Sequence, residues 1–408
     1  MDARSEIEAL VAFEGRAPGS DAERRAARHL EGRLRDLERE VRVEPIQVHP
    51  SYALTHLIHV LAAIVGSVLS VSSPFAGTVV LLLAAVSTYG DLTGSFQIAR
   101  RLTPARASQN VVSPEDGGRP GTLVLVAHYD AGRTGAAFGR RLTERRAGLG
   151  RIVRRQLGPF EPLFWSIVVA LACAGLRLVG VHPTVVVAAQ FAAIVVLIVS
   201  VPMLVDVALS GISPGANDNA SGVATVLRLT ERYGDDLDYF DVWVVLTGAG
   251  EGPLLGMREW LRANRQKLDK RSTAIVCIDQ VGAGTVRYAR KEGFVFANPF
   301  HPALLDACRQ IATEDADEKR YGVRGMVSRS ATDAHLARAA GYPAVSVSCR
   351  NALDIAPHHH RASDVPDNVD PAALERAFGF CSELIELLDE RIGPTLEGGA
   401  DAFASDEN

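Results

Sequence analysis

Charged residues vanish from this chain twice, and the pattern of apolar positions around those gaps predicts most of its architecture. Residues 45–90 contain no Asp, Glu, Lys or Arg, and Ser72-Ser73-Pro74 divides them into two apolar runs, 54–71 and 75 to about 92. A second block repeats the arrangement: residues 162–179, a tip with Arg177, Gly180 and Pro183, then residues 184–209. Crossing a bilayer core takes about 20 apolar residues, so these runs predict four transmembrane helices in two hairpins, 51–91 and 161–209. A hairpin returns the chain to the side it left. Residues 1–50, 92–160 and 210–392 are therefore expected to share one compartment and form one domain.

Those segments carry α/β patterning. Ser20 and Glu23 form a capping box ahead of an Ala26, Ala27, Leu30, Leu34, Leu37 stripe, which predicts a helix. Short Val- and Ile-rich runs at 122–127, 242–246, 274–278 and 344–347 predict strands of a covered sheet. Helices are expected at 221–233, 254–264, 333–340 and 371–390, the last capped by Asp370 with proline at its first position. The end of the chain, 393–408, is acidic and rich in small residues, the composition of a disordered tail.

Charge bears on partners and orientation. The 43 Lys+Arg against 48 Asp+Glu give a formal net charge of −5, which removes the basic footprint of a nucleic-acid binder. Eight arginines lie between Arg133 and Arg155, whereas the hairpin tips offer only Arg177, so the positive-inside rule predicts a cytoplasmic soluble domain on an integral membrane protein, of the bacterial plasma membrane type. Leu142, Leu149, Ile152, Val153 and Leu157 recur among those arginines as on an amphipathic helix resting on anionic headgroups. Five scattered cysteines without CxxC spacing fit a reducing compartment. Oligomeric state has no signature.

In open α/β sheets, chemistry sits beyond the carboxyl ends of the strands. Here those ends carry His128 and Asp130, Glu251, and Asp279. Asp218 stands in Gly215-Ala216-Asn217-Asp218-Asn219-Ala220-Ser221-Gly222 before a helix, and His360 closes a triple histidine four residues ahead of Asp364. Imidazoles and carboxylates are the ligands of Zn²⁺, and a metal pair needs a carboxylate to bridge it. Asp130 is placed to orient the His128 imidazole from behind.

The ordered set resembles the co-catalytic di-zinc exopeptidases of peptidase family M28. It comprises Gly15-Arg16-Ala17-Pro18-Gly19-Ser20, His128-Tyr129-Asp130, the Asp218 segment, Gly250-Glu251-Gly252 with Leu254-Leu255-Gly256, Ile278-Asp279-Gln280-Val281-Gly282, Thr332-Asp333-Ala334 with Ala340-Gly341-Tyr342-Pro343, and His360 with Asp364. The resemblance covers about residues 5–50, 105–132 and 212–392, and both apolar hairpins fall outside it. It implies a mixed central β-sheet flanked by helices, of the zinc exopeptidase (phosphorylase/hydrolase-like) type. It also implies two Zn²⁺ ions, with His128 and Asp279 on one, Glu251 and His360 on the other, and Asp218 bridging. The implied activity is aminopeptidase-like hydrolysis of a terminal bond in a peptide or small amide by metal-activated water, and the bond after Asp218 is expected to be cis.

One position departs. The family has two adjacent glutamates, the first a general base, where this chain has Gly250-Glu251. Restoring the acid by Gly250→Glu is expected to raise turnover. His335, Asp333, His358 and His359 are possible substitutes for the base. A second reading follows: a catalytically impaired, metal-binding pseudopeptidase acting as a membrane-tethered binding module. A transporter would want ionisable groups deep in the spans, and His56, His59, Arg177 and Asp206 instead read as interfacial anchors.

Overall fold

The computed structural model describes residues 1–396. The chain opens with α1 (Ala3–Val11) and α2 (Asp21–Asp36). Ser20 caps α2 by accepting the Glu23 amide at 3.0 Å. The Glu23 carboxylate does more than close the box: it takes the Gly19 amide, the Ser108 hydroxyl and the Ala249 amide, and it is fully buried.

Nine strands form one mixed sheet: β1 (Arg42–Val48), β2 (Arg106–Ser113), β3 (Gly121–His128), β4 (Phe240–Thr247), β5 (Thr273–Ile278), β6 (Thr285–Glu292), β7 (Asn298–Pro299), β8 (Arg324–Ser328) and β9 (Ala344–Arg350). The order is β1-β2-β4-β3-β5-β9-β6-β7, with β8 beside β6. Strands β4, β3, β5 and β9 run parallel in the centre, and β2 and β6 flank them antiparallel. The central strands are the four that the apolar runs predicted, since burial on both faces demands continuous apolar sequence. The flanking strands alternate or are polar and leave a weaker trace.

One sheet face is covered by α1, α2, α8 (Ser221–Tyr233), α10 (Pro302–Glu318) and α12 (Pro371–Leu387), around Leu30, Val223, Leu227, Phe380 and Leu384. Helices α9 (Leu255–Asn264) and α11 (Asp333–Ala339) cover the other, around Met257, Trp260 and Ala337. The cysteines are all free and buried. Of the tail expected at 393–408, Gly393–Thr395 forms a 3-10 turn and Leu396 is buried; residues 397–408 lie outside the described residues.

Between β1 and β2, and after α5 (Arg140–Ile152), the chain forms four helices long and apolar enough to cross a membrane: α3 (Tyr52–Ser72), α4 (Pro74–Thr93), α6 (Glu161–Leu178) and α7 (Thr184–Leu209). They pack on one another through Val60, Ala63, Leu81, Ala84, Ile167, Ala170 and Leu197. Their outward faces are apolar, with Val65, Val68, Leu83, Phe191 and Ile198 exposed. A continuous apolar exterior of this kind belongs against lipid or protein.

His56 and His59 are not interfacial anchors. They lie on the face of α3 that turns towards α4 and are buried, His59 Nε2 sitting 2.8 Å from Ser87 Oγ and His56 Nε2 3.6 Å from Asp91 Oδ2. Asp91 in turn holds buried Arg100 through two contacts of 2.7 and 2.8 Å. Arg100 Nη1 donates to the carbonyls of His49 and Gly252, so this cluster fastens the end of the first hairpin to the loop carrying Glu251. Arg177 donates to Gln190, and Asp206 accepts the Ala136 amide.

Removing one partner of a buried ion pair strands the other, at a cost of about 3–5 kcal/mol. Asp91→Ala should accordingly lower the unfolding midpoint of the detergent-solubilised protein markedly, and the double variant Asp91→Ala/Arg100→Met should recover much of the loss. Thermal unfolding checks both.

Candidate functional site

Parallel strands deliver the first donors because their carboxyl ends open on one edge of the sheet. His128 ends β3, Asp279 follows β5, and Glu251 stands on the loop after β4. Asp218 precedes α8, and His360 lies on the loop between β9 and α12. All five sequence-predicted donors meet. His128 Nε2 is 3.3 Å from Asp279 Oδ1 and 3.5 Å from Asp218 Oδ1. On the other side of Asp218, Oδ2 lies 3.6 Å from His360 Nε2, which is 2.9 Å from Glu251 Oε2.

The spacing suits metal. Ligands held at about 2.0–2.2 Å from a tetrahedral zinc stand roughly 3.3–3.6 Å apart. Two donor groups, His128–Asp218–Asp279 and Asp218–His359–His360, each gather within 4.8 Å and share Asp218. At the cluster, buried Asp279 Oδ1 and His360 Nε2 lack hydrogen-bond partners. Orphaned donors converging on carboxylates are what an ion would satisfy. Burial opposes a charge on His360, yet Glu251 and Asp218 outweigh it and push the imidazole up to about 9. The cluster draws positive charge.

A rigid frame holds these groups. Asp130 Oδ1 and Oδ2 accept the amides of Gly250 and Glu251, both at 2.9 Å, and Oδ1 lies 3.4 Å from His128 Nδ1. Thus Asp130 orients the His128 ring and the Glu251 backbone together, and Glu23 adds the Ala249 amide of the same loop. Asp364 accepts the amides of Asn217 and Asp218. Buried Arg16 donates to the carbonyls of Tyr129, Pro214 and Gly215, joining the His128 and Asp218 segments. The Asp218–Asn219 peptide is cis. Asn219 donates through Nδ2 to the Ile278 carbonyl and accepts the Gln280 amide through Oδ1, a pairing that a second aspartate could not make.

Among the suggested substitutes for the base, only His359 reaches the cluster, its Nδ1 standing 2.7 Å from Asp218 Oδ2. His358 pairs with Ser363, Asp333 accepts the Thr247 hydroxyl behind the site, and His335 lines a separate cavity. Sequence reading missed Gln280, whose amide donates to Asp218 Oδ1 at 3.1 Å, and Phe138, whose ring lies 4.3 Å from that of His360. It also missed Tyr52 at the start of α3: its buried hydroxyl has no partner and lies in electrostatic range of Glu251 and Asp218. Gln280 was within reach, two residues before Gly282 in a quoted motif; Phe138 and Tyr52 carry no local signal.

Gly250 requires a correction. A Cβ there would overlap that of His128, lying 2.8 Å from its Cγ and 3.1 Å from Asp130 Oδ1. A side chain at this position therefore requires His128 or the loop to shift.

The mixed central sheet flanked by helices matches the fold of zinc exopeptidases. Residues 200–385 match the model of Peptidase family M28, a segment that includes Asp218, Glu251, Asp279 and His360. His128 and Asp130 precede it. Solved structures of similar fold include BSAP, a zinc aminopeptidase from Bacillus subtilis, with a TM-score of 0.54 at 13% identity, covering 96% of this chain and 95% of that one. A Zn-dependent exopeptidase from Parabacteroides distasonis gives 0.53 at 12%, with coverage of 95% and 97%. Bacteroides thetaiotaomicron glutaminyl cyclase bound to N-acetylhistamine gives 0.54 at 13%, with 94% and 96%. No curated protein sequence matches the chain.

Two tests follow. Gly250→Glu should weaken zinc binding by about tenfold or more, as losses of supporting contacts around ligands do, and lower turnover; competition with a chromophoric chelator measures the first. Glu292, buried behind the site, is pushed from 4.5 up to about 8 by burial first and by Asp279 next. A carboxyl raised in the folded state stabilises below its unfolded pKa, and that contribution fades as pH climbs from about 4.5 to about 8. Over that window the wild-type unfolding midpoint should fall more steeply than that of Glu292→Gln.

Proposed function

We propose that this protein is a membrane-anchored, zinc-dependent exopeptidase that hydrolyses a terminal bond of a peptide or small amide, with its α/β domain on the cytoplasmic side. The observation that carries the reading is that His128 and Asp279 meet one oxygen of Asp218, and His360 with Glu251 the other, at ligand spacing. His128 and Asp279 would hold one zinc, Glu251 and His360 the other, and Asp218 both. Bound there, zinc supplies a Lewis acid for the scissile carbonyl and acidifies water. Residues 1–50, 92–160 and 210–392 act as one unit carrying this site, and the two hairpins, 51–91 and 161–209, anchor it.

The chain's own side chains fix the rest. Asp130 holds the His128 ring and the Glu251 backbone against rotation, and Asp364 and Gln280 hold Asp218. With no side chain at Gly250, moving a proton between water and the leaving amine falls to groups beside Asp218 and Glu251. His359 touches Asp218, and burial keeps its ring below the ordinary imidazole value, so it can accept a proton. Tyr52 brings an uncommitted hydroxyl from the first turn of α3.

Closure of the backbone over Gly250 favours a second reading, in which the site binds metal and a peptide end without cleaving it. The purified protein is expected to hold about two zinc ions per chain by elemental analysis. It should also release terminal residues from a peptide library, and a chelator or Asp218→Asn should abolish both properties. Zinc bound at full stoichiometry with no cleavage of any library member would establish the binding-module reading; no metal after zinc loading would overturn both.

A further inference from the structure

A cavity of about 530 Å³ lies apart from the metal-ligand cluster, where the spans meet the α/β domain. Its walls include Tyr89 and Leu92 from the last turns of α4, Phe164 from the first turn of α6, Phe296 from the loop after β6, and His335 and Arg338 from α11. The aromatic side is a built cluster. Phe296 packs on Tyr89 at 6.0 Å, on Phe164 at 5.7 Å and on Trp165 at 6.1 Å between ring centroids. Tyr89, Trp165 and Phe296 remain part-exposed, Tyr89 near the end of α4 and Trp165 near the start of α6, where aromatic belts of spanning helices fall.

The opposite side carries the guanidinium of Arg338. The buried Nε of Arg338 has no hydrogen-bond partner, and no carboxylate pairs with this guanidinium among the described residues. Glu292 acts on Arg338 through space, while its carboxylate accepts the Thr332 amide and hydroxyl. His335 is 4% exposed, burial lowers its imidazole to about 4 so that it is neutral beside Arg338, and its Nδ1 is without a partner. Ser95 and Asn298 add neutral donors, and no Asp or Glu lines the cavity. A guanidinium on the wall of a space that no Asp or Glu lines favours an anion, and an aromatic wall continuous with the apolar exterior of α4 favours one attached to hydrocarbon.

We propose that this cavity binds the phosphate headgroup of an anionic phospholipid, with Arg338 and His335 on the phosphate and Tyr89, Phe164 and Phe296 along the first acyl carbons. A volume within the range of about 300–1,000 Å³ typical of ligand pockets accommodates that part of the molecule. The bound lipid would bridge α4, α6 and α11. Thr332, at the head of α11, sits beside Asp333, whose carboxylate accepts the Thr247 hydroxyl at the end of β4, so lipid occupancy would brace the sheet edge from which the Glu251 loop departs. The proposal rests on the membrane reading of the four apolar helices.

Full-length protein reconstituted into nanodiscs of phosphatidylcholine, with and without phosphatidylglycerol, tests it. Native mass spectrometry should detect one phosphatidylglycerol retained per chain and no phosphatidylcholine, with an unfolding midpoint higher by several degrees in the anionic discs. Arg338→Gln should cut retention by about tenfold, the loss of one charge-assisted contact, while Arg338→Lys should keep most of it. Equal retention of both lipids, or retention indifferent to Arg338→Gln, overturns the proposal and leaves the membrane reading intact. Inorganic phosphate matching the effect of phosphatidylglycerol would make the ligand a free anion and likewise overturn it. A wild-type chain that stays in solution without detergent and does not enter nanodiscs overturns both.

Discussion

Asp218 concentrates negative charge where Asp279 and Glu251 already converge, and the organisation of the α/β domain follows from keeping that cluster together. Three carboxylates and two imidazoles within contact distance repel or desolvate one another unless a cation or protons intervene. Such an arrangement survives only because its supports are over-determined. Asp130 and Glu23 seize three successive amides of the Glu251 loop, Asp364 seizes two before and at Asp218, and Arg16 joins the His128 and Asp218 segments. Each support is buried, so none can swing out to water.

The same logic extends into the apolar hairpins. Arg100 and Asp91 neutralise each other at the foot of the bundle, and the spare Arg100 donor grips the Gly252 carbonyl beside Glu251. Pro50 packs against Gly252, and Tyr52 begins α3 within electrostatic range of the cluster. The bundle is thus part of the wall of the site, and whatever shifts α3 or α4 will be felt at Glu251.

Much of this was legible from sequence. The central strands announced themselves because a parallel sheet buried on both faces tolerates only apolar runs, and the donors stood at the ends of those runs. Edge strand β1, the polar interior strand β2 and the β6–β8 group escaped notice because none of them is a continuous apolar stretch. The triple histidine named its third member, but only folding shows that His359 joins it, since a backbone with positive φ at His358 and His360 turns both rings inward. Gly250 was read as a lost acid, and its backbone also approaches His128 closely, which no spacing reveals. Asp91 was concealed by its place at the very end of an apolar run, and His56 and His59 were misjudged because a helix face cannot be assigned until its neighbour is known.

Anomalous X-ray diffraction at the zinc edge, from zinc-loaded crystals, addresses the central claim most directly. Two peaks flanking the Asp218 carboxylate are expected, one also contacted by His128 and Asp279 and the other by Glu251 and His360. The absence of a peak at Asp218, or a single ion that leaves either histidine unliganded, would contradict the account.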